Sequence, residues 1–273
     1  MTEELKKKVD RAIRLLKSIK ADEIELSYSG GKDSDVILEL AKMAGVKFRA
    51  IYKNTTIDPP GTIKHVASKG VEMVRPSKTF AQIIRYAGFP DMFRRSCCKF
   101  LKEYKVLEKA IHGIRRCESA KRAKRYKEPT FCRVYGKERV EVFMPILEWT
   151  DKDIKDFVEY YNVKCHPLYY DEKGRFHPER RLGCMCCPLA SNKKRIEQFK
   201  LYPNMVKFYV RNGGVYLKEH PKSPLNKRFN NEYEWFTKYL FCNNYEDFIF
   251  RFDGLFGRAD CKKFLEDFFK VKL

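Results

Sequence analysis

Residues 24–45 read IELSYSGGKDSDVILELAKMAG. IELSYS (Ile24 to Ser29) predicts a strand. SDVILELAKMAG carries helical spacing and stops at Gly45, a residue suited to closing helices. Between them lie Ser29, Gly30, Gly31, Lys32, Asp33 and Ser34. A plain turn needs one glycine and no charge. Two adjacent glycines instead let the backbone approach a ligand and turn its N–H groups toward an anion. Lys32 adds a mobile positive charge, Asp33 can hold Mg²⁺ or orient Lys32, and Ser29 and Ser34 supply hydroxyls and a cap. The spacing differs from G-x-x-x-x-G-K-S/T, which excludes the common NTPase loop.

The flanking segments predict the sheet around this loop. Upstream, Thr2 caps a helix that begins with Glu3 and Glu4 and carries Val9, Ile13, Leu15, Leu16 and Ile19 on roughly one side. Downstream, KFRAIYKN (Lys47 to Asn54) is a second strand, GTIKHVASKG a second helix closed by Gly70, and VEMVRP a third strand. This alternation predicts an α/β fold, a doubly wound parallel sheet with right-handed crossovers. A helix is expected around Lys99 to Ile111, then a short strand in HGIRRCES running into a loop. TFCRVYGKERVEVFMPI reads as a hairpin turning at Tyr135-Gly136-Lys137, and WTDKDIKDFVEYYN as a helix with Thr150 as N-cap and Asp153 three positions on. Beyond Pro188 the chain turns basic and aromatic, with helices near Lys193 to Leu201 and Glu232 to Phe241. The composition shift puts a boundary after about residue 190, between an α/β domain over 1–190 and a basic, mainly helical region over 191–273.

The chain has 273 residues, of which 44% are hydrophobic and 14% aromatic, so it can bury a sizeable core. No apolar run approaches the roughly 20 residues that span a bilayer. The amphipathic start MTEELKKKVDRAIRLL lacks the apolar stretch of a secretory signal, and a cytoplasmic location is the expectation. Lys and Arg exceed Asp and Glu by 21, and +11 of that excess falls between Arg94 and Arg139 and +8 between Lys193 and Arg228. Such concentrations favour a polyanionic partner through phosphate neutralisation, although a solvated basic surface explains any single lysine.

Ten cysteines in a reducing compartment argue against a disulfide framework. Cys97 and Cys98 are adjacent, and GCMCCP crowds Cys184, Cys186 and Cys187 together. Cys97, Cys98, Cys184 and Cys187 would supply four thiolates, a set that suits tetrahedral zinc or an iron–sulfur cluster. An adjacent pair strains to chelate one small ion, whereas neighbours can bind different corners of a cubane. The reading is therefore a 4Fe–4S cluster, with zinc as the alternative. Cys186 has no assigned role. Cys117, Cys132, Cys165, Cys242 and Cys261 read as small buried side chains.

SGGKDS in this setting resembles the signature loop of the ATP-pyrophosphatase (PP-loop) superfamily of HUP-like fold. Within it, NTTIDPPGT (Asn54 to Thr62), GIRRCESAKRAKR (Gly113 to Arg125), PILEWTDKDI and HPLYYDEKGRFHPERRLGC are similar to segments of the phosphoadenylyl-sulfate reductase branch. The resemblance runs from about Ile24 to Pro188. It implies that Ser29, Gly30, Gly31, Lys32, Asp33 and Ser34 grip the phosphates of an adenine nucleotide and support cleavage between its α and β phosphates. It also implies that Asp58 and Gly113 border the nucleotide and that Arg115 and Arg116 face phosphate or sulfate oxygens, a task suited to the guanidinium fork. Cluster-bearing adenylyl-sulfate reductases carry the same CC and CxxC pattern.

The C-terminal ECGLH-like segment with its nucleophilic cysteine is absent from DGLFGRADCKKFLEDFFKVKL. Cys242 and Cys261 lie in that region and read as core, although Lys262 and Lys263 would lower the pKa of Cys261. The leading expectation is thus an enzyme that uses ATP and Mg²⁺ to adenylate a substrate and supports sulfur transfer. Lys32, Asp33 and Arg115 would be its catalytic residues, and it would work with a sulfur donor and a nucleic-acid acceptor. The aromatics Phe199, Tyr202, Phe208, Tyr209, Tyr216 and Phe229 would then stack bases. A reductase that takes adenylyl-sulfate or phosphoadenylyl-sulfate and a thioredoxin-like partner is the alternative, and a non-catalytic nucleic-acid-binding module a further one.

Overall fold

Thr2 opens the first helix, α1 (Glu3–Lys17), by accepting the Leu5 N–H at 3.3 Å, with Glu3 and Glu4 at the helix's positive end. The buried stripe is Leu5, Val9, Ala12 and Leu16, while Ile13 and Leu15 flank it half-buried. The computed structural model describes residues 1–104, 106–135, 138–254 and 257–273. They form two units. One comprises Met1–Asn54, Asp58–Arg75 and Glu103–Gly183, the other Thr55–Ile57, Pro76–Lys102 and Cys184–Leu273. The composition shift near residue 190 lies just past Cys184, where the chain enters the second unit for the last time.

In the first unit, β1 (Glu25–Tyr28), α2 (Lys32–Ala44), β2 (Arg49–Lys53), α3 (Thr62–Ser68) and β3 (Glu72–Val74) follow in order. The chain then passes through α4 (Phe80–Ala87) and α5 (Ser96–Leu101) of the second unit. It returns as β4 (Lys109–His112), α6 (Ala120–Arg125), β5 (Thr130–Tyr135), β6 (Glu138–Phe143) and α7 (Asp151–Tyr160). The strand order is β3-β2-β1-β4-β6-β5, with only β5 antiparallel. This is the doubly wound α/β sheet. Strands after β1 step first to one side and then, from β4, to the other, so the carboxyl ends of β1 and β4 border the crevice where such sheets bind ligands.

Two expectations are corrected here. The helix expected over Lys99 to Ile111 is instead the short α5, ending at Leu101, and the strand β4. Ala110 and Ile111 are fully buried, and a parallel strand covered on both faces is apolar throughout and loses its alternation. HGIRRCES is not a strand: His112 ends β4, and Arg116–Glu118 is a 3₁₀ turn. The hairpin pairing of β5 with β6 is as expected, and its tip at Gly136 and Lys137 lies outside the described residues.

The capping box of α7 is formed. Thr150 Oγ1 accepts the Asp153 N–H at 3.2 Å, and Asp153 Oδ2 accepts the Thr150 N–H at 2.7 Å. Lys8 Nζ donates to both Asp153 oxygens at 3.0 and 2.9 Å, which ties α1 to α7. Burial works to raise the Asp153 carboxyl, but Lys8 and Thr150 together hold it below its ordinary 3.8. A carboxylate depressed in the folded state stabilises above its unfolded value, and that stability is lost as pH falls through the folded one. Asp153→Ala should therefore cost about 1 kcal/mol at neutral pH. Urea unfolding of variant and wild type should converge as the pH falls through the depressed folded-state value of Asp153.

The second unit continues with α8 (Asn192–Leu201), α9 (Pro203–Glu219), α10 (Leu225–Arg228), α11 (Glu232–Phe241), α12 (Tyr245–Phe252) and α13 (Cys261–Phe269). Its core is aromatic, around Phe80, Phe199, Tyr209, Phe236 and Phe248. Phe199, Tyr209 and Phe229 are therefore core and not a surface for bases, and Tyr202, Phe208 and Tyr216 pack half-buried against them. Among the described residues no helix is long and apolar enough to cross a membrane. A Cβ on Gly213 of α9 would stand 2.6 Å from Cζ of Phe89, a ring already stacked on Trp235 at 4.0 Å. Gly213→Ala should cost about 1–3 kcal/mol through this overlap, read as a lower melting temperature with unchanged helical circular dichroism.

Candidate functional site

The loop between β1 and α2 places its backbone close to its neighbours. Gly30 has φ +77°, and a Cβ there would meet Thr62 Cγ2 at 3.2 Å and Leu182 Cδ2 at 3.4 Å. Gly31 begins α2 with no side-chain cap, so the first-turn N–H groups are not closed off by a capping side chain. Ser34 Oγ donates to the Gly31 carbonyl at 2.7 Å, and Ser29 Oγ lies 3.3 Å from Ser34 Oγ. Lys32 is not the mobile charge expected. It is 3% exposed, with its ammonium 3.1 Å from Asp33 Oδ2 and 5.5 Å from the centre of the Tyr169 ring. The Tyr169 hydroxyl accepts the Leu182 N–H at 3.1 Å, bringing the HPLYY segment to the loop.

The loop after β4 meets Asp33 from the other side. Gly113 permits this, since a Cβ there would fall 3.0 Å from the carbonyl carbon and oxygen of Asp33. Arg115, 1% exposed, puts Nε 2.7 Å from Asp33 Oδ1 and Nη2 2.8 Å from Asp151 Oδ1. Burial works against the guanidinium charge, but Asp33 and then Asp151 outweigh it and raise the pKa of Arg115. The Nε–Oδ1 approach is an ion pair without hydrogen-bond direction, so both buried atoms have their hydrogen-bonding capacity unused. Arg116 points elsewhere. It donates to the Tyr126 carbonyl at 2.9 Å, to Glu148 at 2.7 Å and to the Lys127 carbonyl. Asp58 accepts from the Tyr52 hydroxyl at 2.5 Å.

The sequence reading did not single out several residues here. Asp151 and Tyr169 lie within segments quoted for the resemblance. Glu118 gathers Arg122 and, at 3.0 Å, Arg181, and also accepts the Arg115 N–H at 3.2 Å. Behind the loop, buried Asp35 accepts from Tyr28 and lies 3.1 Å from His65 Nε2, and the His166 ring meets His65 edge-on. No local pattern marks the contacts of Arg115 with Asp151, Glu118 with Arg181 or Asp35 with His65, because those partners are far apart in sequence. Gly113→Ala should push Asp33 out of place, and a melting temperature lowered by several degrees, with Gly183→Ala, which meets open space and has no left-handed φ, as the control, would register it.

The cysteines of interest all fall in the second unit. Cys97 and Cys98 occupy the first turn of α5. Cys184 Sγ lies 3.6 Å from Thr55 Oγ1, and the next residue, Met185, donates its N–H to the Ile57 carbonyl at 2.8 Å. Cys97 is close enough to feel the charges of Cys98, Cys184 and Cys187, and Cys187 those of Cys184 and Cys98. Donation from Cys97, with the charges of Arg95 and Lys102, holds Cys98 below the ordinary thiol range despite burial. Cys186 stands apart. It is fully buried at φ +51°, its carbonyl accepts from the Tyr209 hydroxyl at 3.3 Å, and burial pushes its thiol up to about 12.

Among the described residues no group of three or more His, Cys, Asp or Glu side chains is arranged to hold a metal ion. Cys97, Cys98, Cys184 and Cys187 nevertheless supply the donor chemistry of a thiolate-bound centre. Of the remaining cysteines, Cys165, Cys242 and Cys261 are buried, whereas Cys117 and Cys132 are exposed. Lys262 and Lys263 do not lower Cys261 as expected: burial pushes it up to about 11.

A doubly wound sheet with a glycine–lysine–aspartate loop at its switch point defines a class of anion-binding α/β proteins. Residues 23–190 match the phosphoadenosine phosphosulfate reductase domain, and the chain belongs to that family. It is 30% identical over 203 residues to an uncharacterized protein of Methanocaldococcus jannaschii, covering 68% of this chain and 46% of that one. It is 26% identical over 184 residues to sulfate adenylyltransferase subunit 2 of Rhizobium etli, covering 55% and 58%. The chain thus spans about half the length of the curated relatives it matches. Among solved structures it is similar to the U34-tRNA thiolase NcsA from Methanococcus maripaludis with its 4Fe–4S cluster. That likeness has a TM-score of 0.42 and 17% identity, over 81% of this chain and 80% of that one.

Proposed function

We propose that this protein is an adenine-nucleotide-dependent enzyme that adenylates an acceptor with ATP and supports sulfur transfer to it. The observation that carries the reading is the buried Asp33–Arg115 ion pair beside Lys32 at the mouth of an uncapped helix. Two buried cations around one carboxylate, at the positive end of a helix, suit a metal-bound polyphosphate. Asp33 would hold Mg²⁺, which would neutralise the developing phosphate charge. Ser29, Gly30, Gly31 and Ser34 would line the phosphates. Asp58 and Gly113 would border the nucleotide. Arg116, held to the Tyr126 and Lys127 carbonyls and to Glu148, would serve by fixing the loop that carries Arg115.

In the first step an acceptor oxygen attacks the α-phosphorus, the α–β phosphoanhydride bond breaks and pyrophosphate leaves. Lys32 and Arg115 stabilise the charge that spreads over the phosphate oxygens. A sulfide-level donor then displaces AMP, forming a carbon–sulfur bond as the carbon–oxygen bond breaks. Cys97, Cys98, Cys184 and Cys187 would hold a 4Fe–4S cluster, which would bind or hand on the sulfur. The net charge of +21 supports a nucleic-acid acceptor. The adenylyl transfer in the name of the Rhizobium etli relative supports the first step. The burial of Cys242 and Cys261 weighs against thiol attack on a sulfonucleotide.

The test is pyrophosphate release from Mg·ATP by anaerobically purified protein, with and without bulk tRNA as acceptor. Wild type should release pyrophosphate, and Lys32→Ala and Arg115→Met should each lose about 10²–10³-fold in kcat/KM. Wild-type protein that releases none under either condition, or a Lys32→Ala variant with full activity, would refute the proposal.

A further inference from the structure

Phe93 is 93% exposed on the loop between α4 and α5 of the second unit, and Met92 beside it is 61% exposed. The loop does not leave them out through slackness. Asp91 Oδ1 accepts the N–H of Phe93 at 2.8 Å and that of Arg94 at 2.7 Å, and the Asp91 carbonyl accepts the Arg95 N–H at 3.1 Å. Arg95 is held at φ +42°, a left-handed conformation that L side chains rarely adopt. A turn tied in this way presents an adjacent apolar pair to water in one geometry, and leaving a phenyl ring outside forgoes the gain of burying it.

The charge around the ring says what would cover it. The stretch Pro76–Lys102 holds six basic residues against one acidic, Asp91 itself. Arg94 and Arg95 follow Phe93 directly and are exposed, as is Lys99 on α5. Phe250 gives the contrast. It is 88% exposed on α12, but Glu246 and Asp247 stand four and three positions before it on the same helix face. An exposed ring alone is therefore not the signal; a ring set in a cationic loop is. An unpaired base meets both parts of this surface, with a flat face for the ring and phosphates for the neighbouring cations. A base inside a duplex has both faces taken by its neighbours and cannot lie on the ring. A second copy of the loop would bring like charges together.

We propose that the segment 91–99 is a docking surface for single-stranded nucleic acid, with Phe93 stacking an unpaired base and Arg94 and Lys99 neutralising the flanking phosphates. This rests on the reading above that the acceptor is a nucleic acid, and it gives that acceptor a place on the chain. The loop leads into the first turn of α5, which carries Cys97 and Cys98. A strand held by Phe93 would thus lie on the segment that runs into these thiols.

The experiment compares full-length wild type, Phe93→Ala, Phe93→Trp, Arg94→Gln and Phe250→Ala. Fluorescence anisotropy follows binding of labelled oligouridylate and oligothymidylate of about 12 nucleotides, and of a duplex of that length. Melting temperature and molar mass in solution are recorded for each protein. Phe93→Ala should weaken binding about 5- to 100-fold for whichever single strand wild type holds more tightly, with an unchanged melting temperature. Phe93→Trp should keep the affinity, and Phe250→Ala should bind as wild type does. Arg94→Gln should flatten the slope of log K against log salt by about 0.7. Wild type that binds neither strand defeats the nucleic-acid reading and this inference together. Wild-type binding that Phe93→Ala matches overturns this inference alone. So does an equal loss in Phe250→Ala or Phe93→Trp, or a duplex bound as tightly as the single strands. A wild-type dimer that Phe93→Ala dissociates would assign the loop to a second copy and overturn the proposal as well.

Discussion

The guanidinium of Arg115, held between Asp33 and Asp151, is the constraint on which the first unit's site depends. It joins the loop after β1, the loop after β4 and the start of α7 into one geometry. Removing one partner of such a buried pair typically costs about 3–5 kcal/mol, because the other charge is left stranded. Gly113 is the steric condition for it, since a Cβ there would crowd the Asp33 backbone at 3.0 Å. The neighbouring contacts follow from that approach: Glu118 beside Arg115, with Arg122 and Arg181 gathered on it, and Lys32 folded onto Asp33 and Tyr169.

Much of this arrangement was legible in the residues. The glycines, Lys32 and Asp33 stand contiguously between a strand and a helix, so local chemistry announced the loop. The alternation of strand and helix announced a sheet whose switch point receives it. Contacts between distant segments had no such signature. Asp151 reads as an ordinary acidic residue at a helix start and serves also as an arginine partner. Lys32 reads as a free charge because burial is set by Tyr169, a residue of another segment. The misread segment over 99–111 failed for a different reason: β4 is covered on both faces, and a strand of that kind lacks the alternation that separates it from a helix. The thiols followed the same division. Their clustering was visible in CC and CMCC, but the burial of Cys261 beside two lysines was decided by helix packing in an aromatic core.

The two units manage charge differently. In the first, the buried arginine is met by carboxylates and the buried lysine by Asp33. In the second, the buried Arg195 is met by an aromatic face, with the Cys186 thiol near enough to feel its charge. A thiol changes its charge with protonation or metal binding, whereas a carboxylate at neutral pH does not. The first unit's buried cations accordingly keep fixed counter-charges, whereas the second's buried arginine has an aromatic face and the Cys186 thiol near it.

The second unit is assembled from Thr55–Ile57, Pro76–Lys102 and Cys184–Leu273. During synthesis its early helices leave the ribosome well before the helices they pack against, and the whole sheet unit's last stretch is made in between. Closing so long an interval carries an entropic toll that only the completed chain can repay, so vectorial folding favours the sheet first. Cys97 and Cys98 therefore wait, apart from Cys184 and Cys187, until just over two thirds of the polypeptide has been translated, so these thiols come together late in the protein's biogenesis.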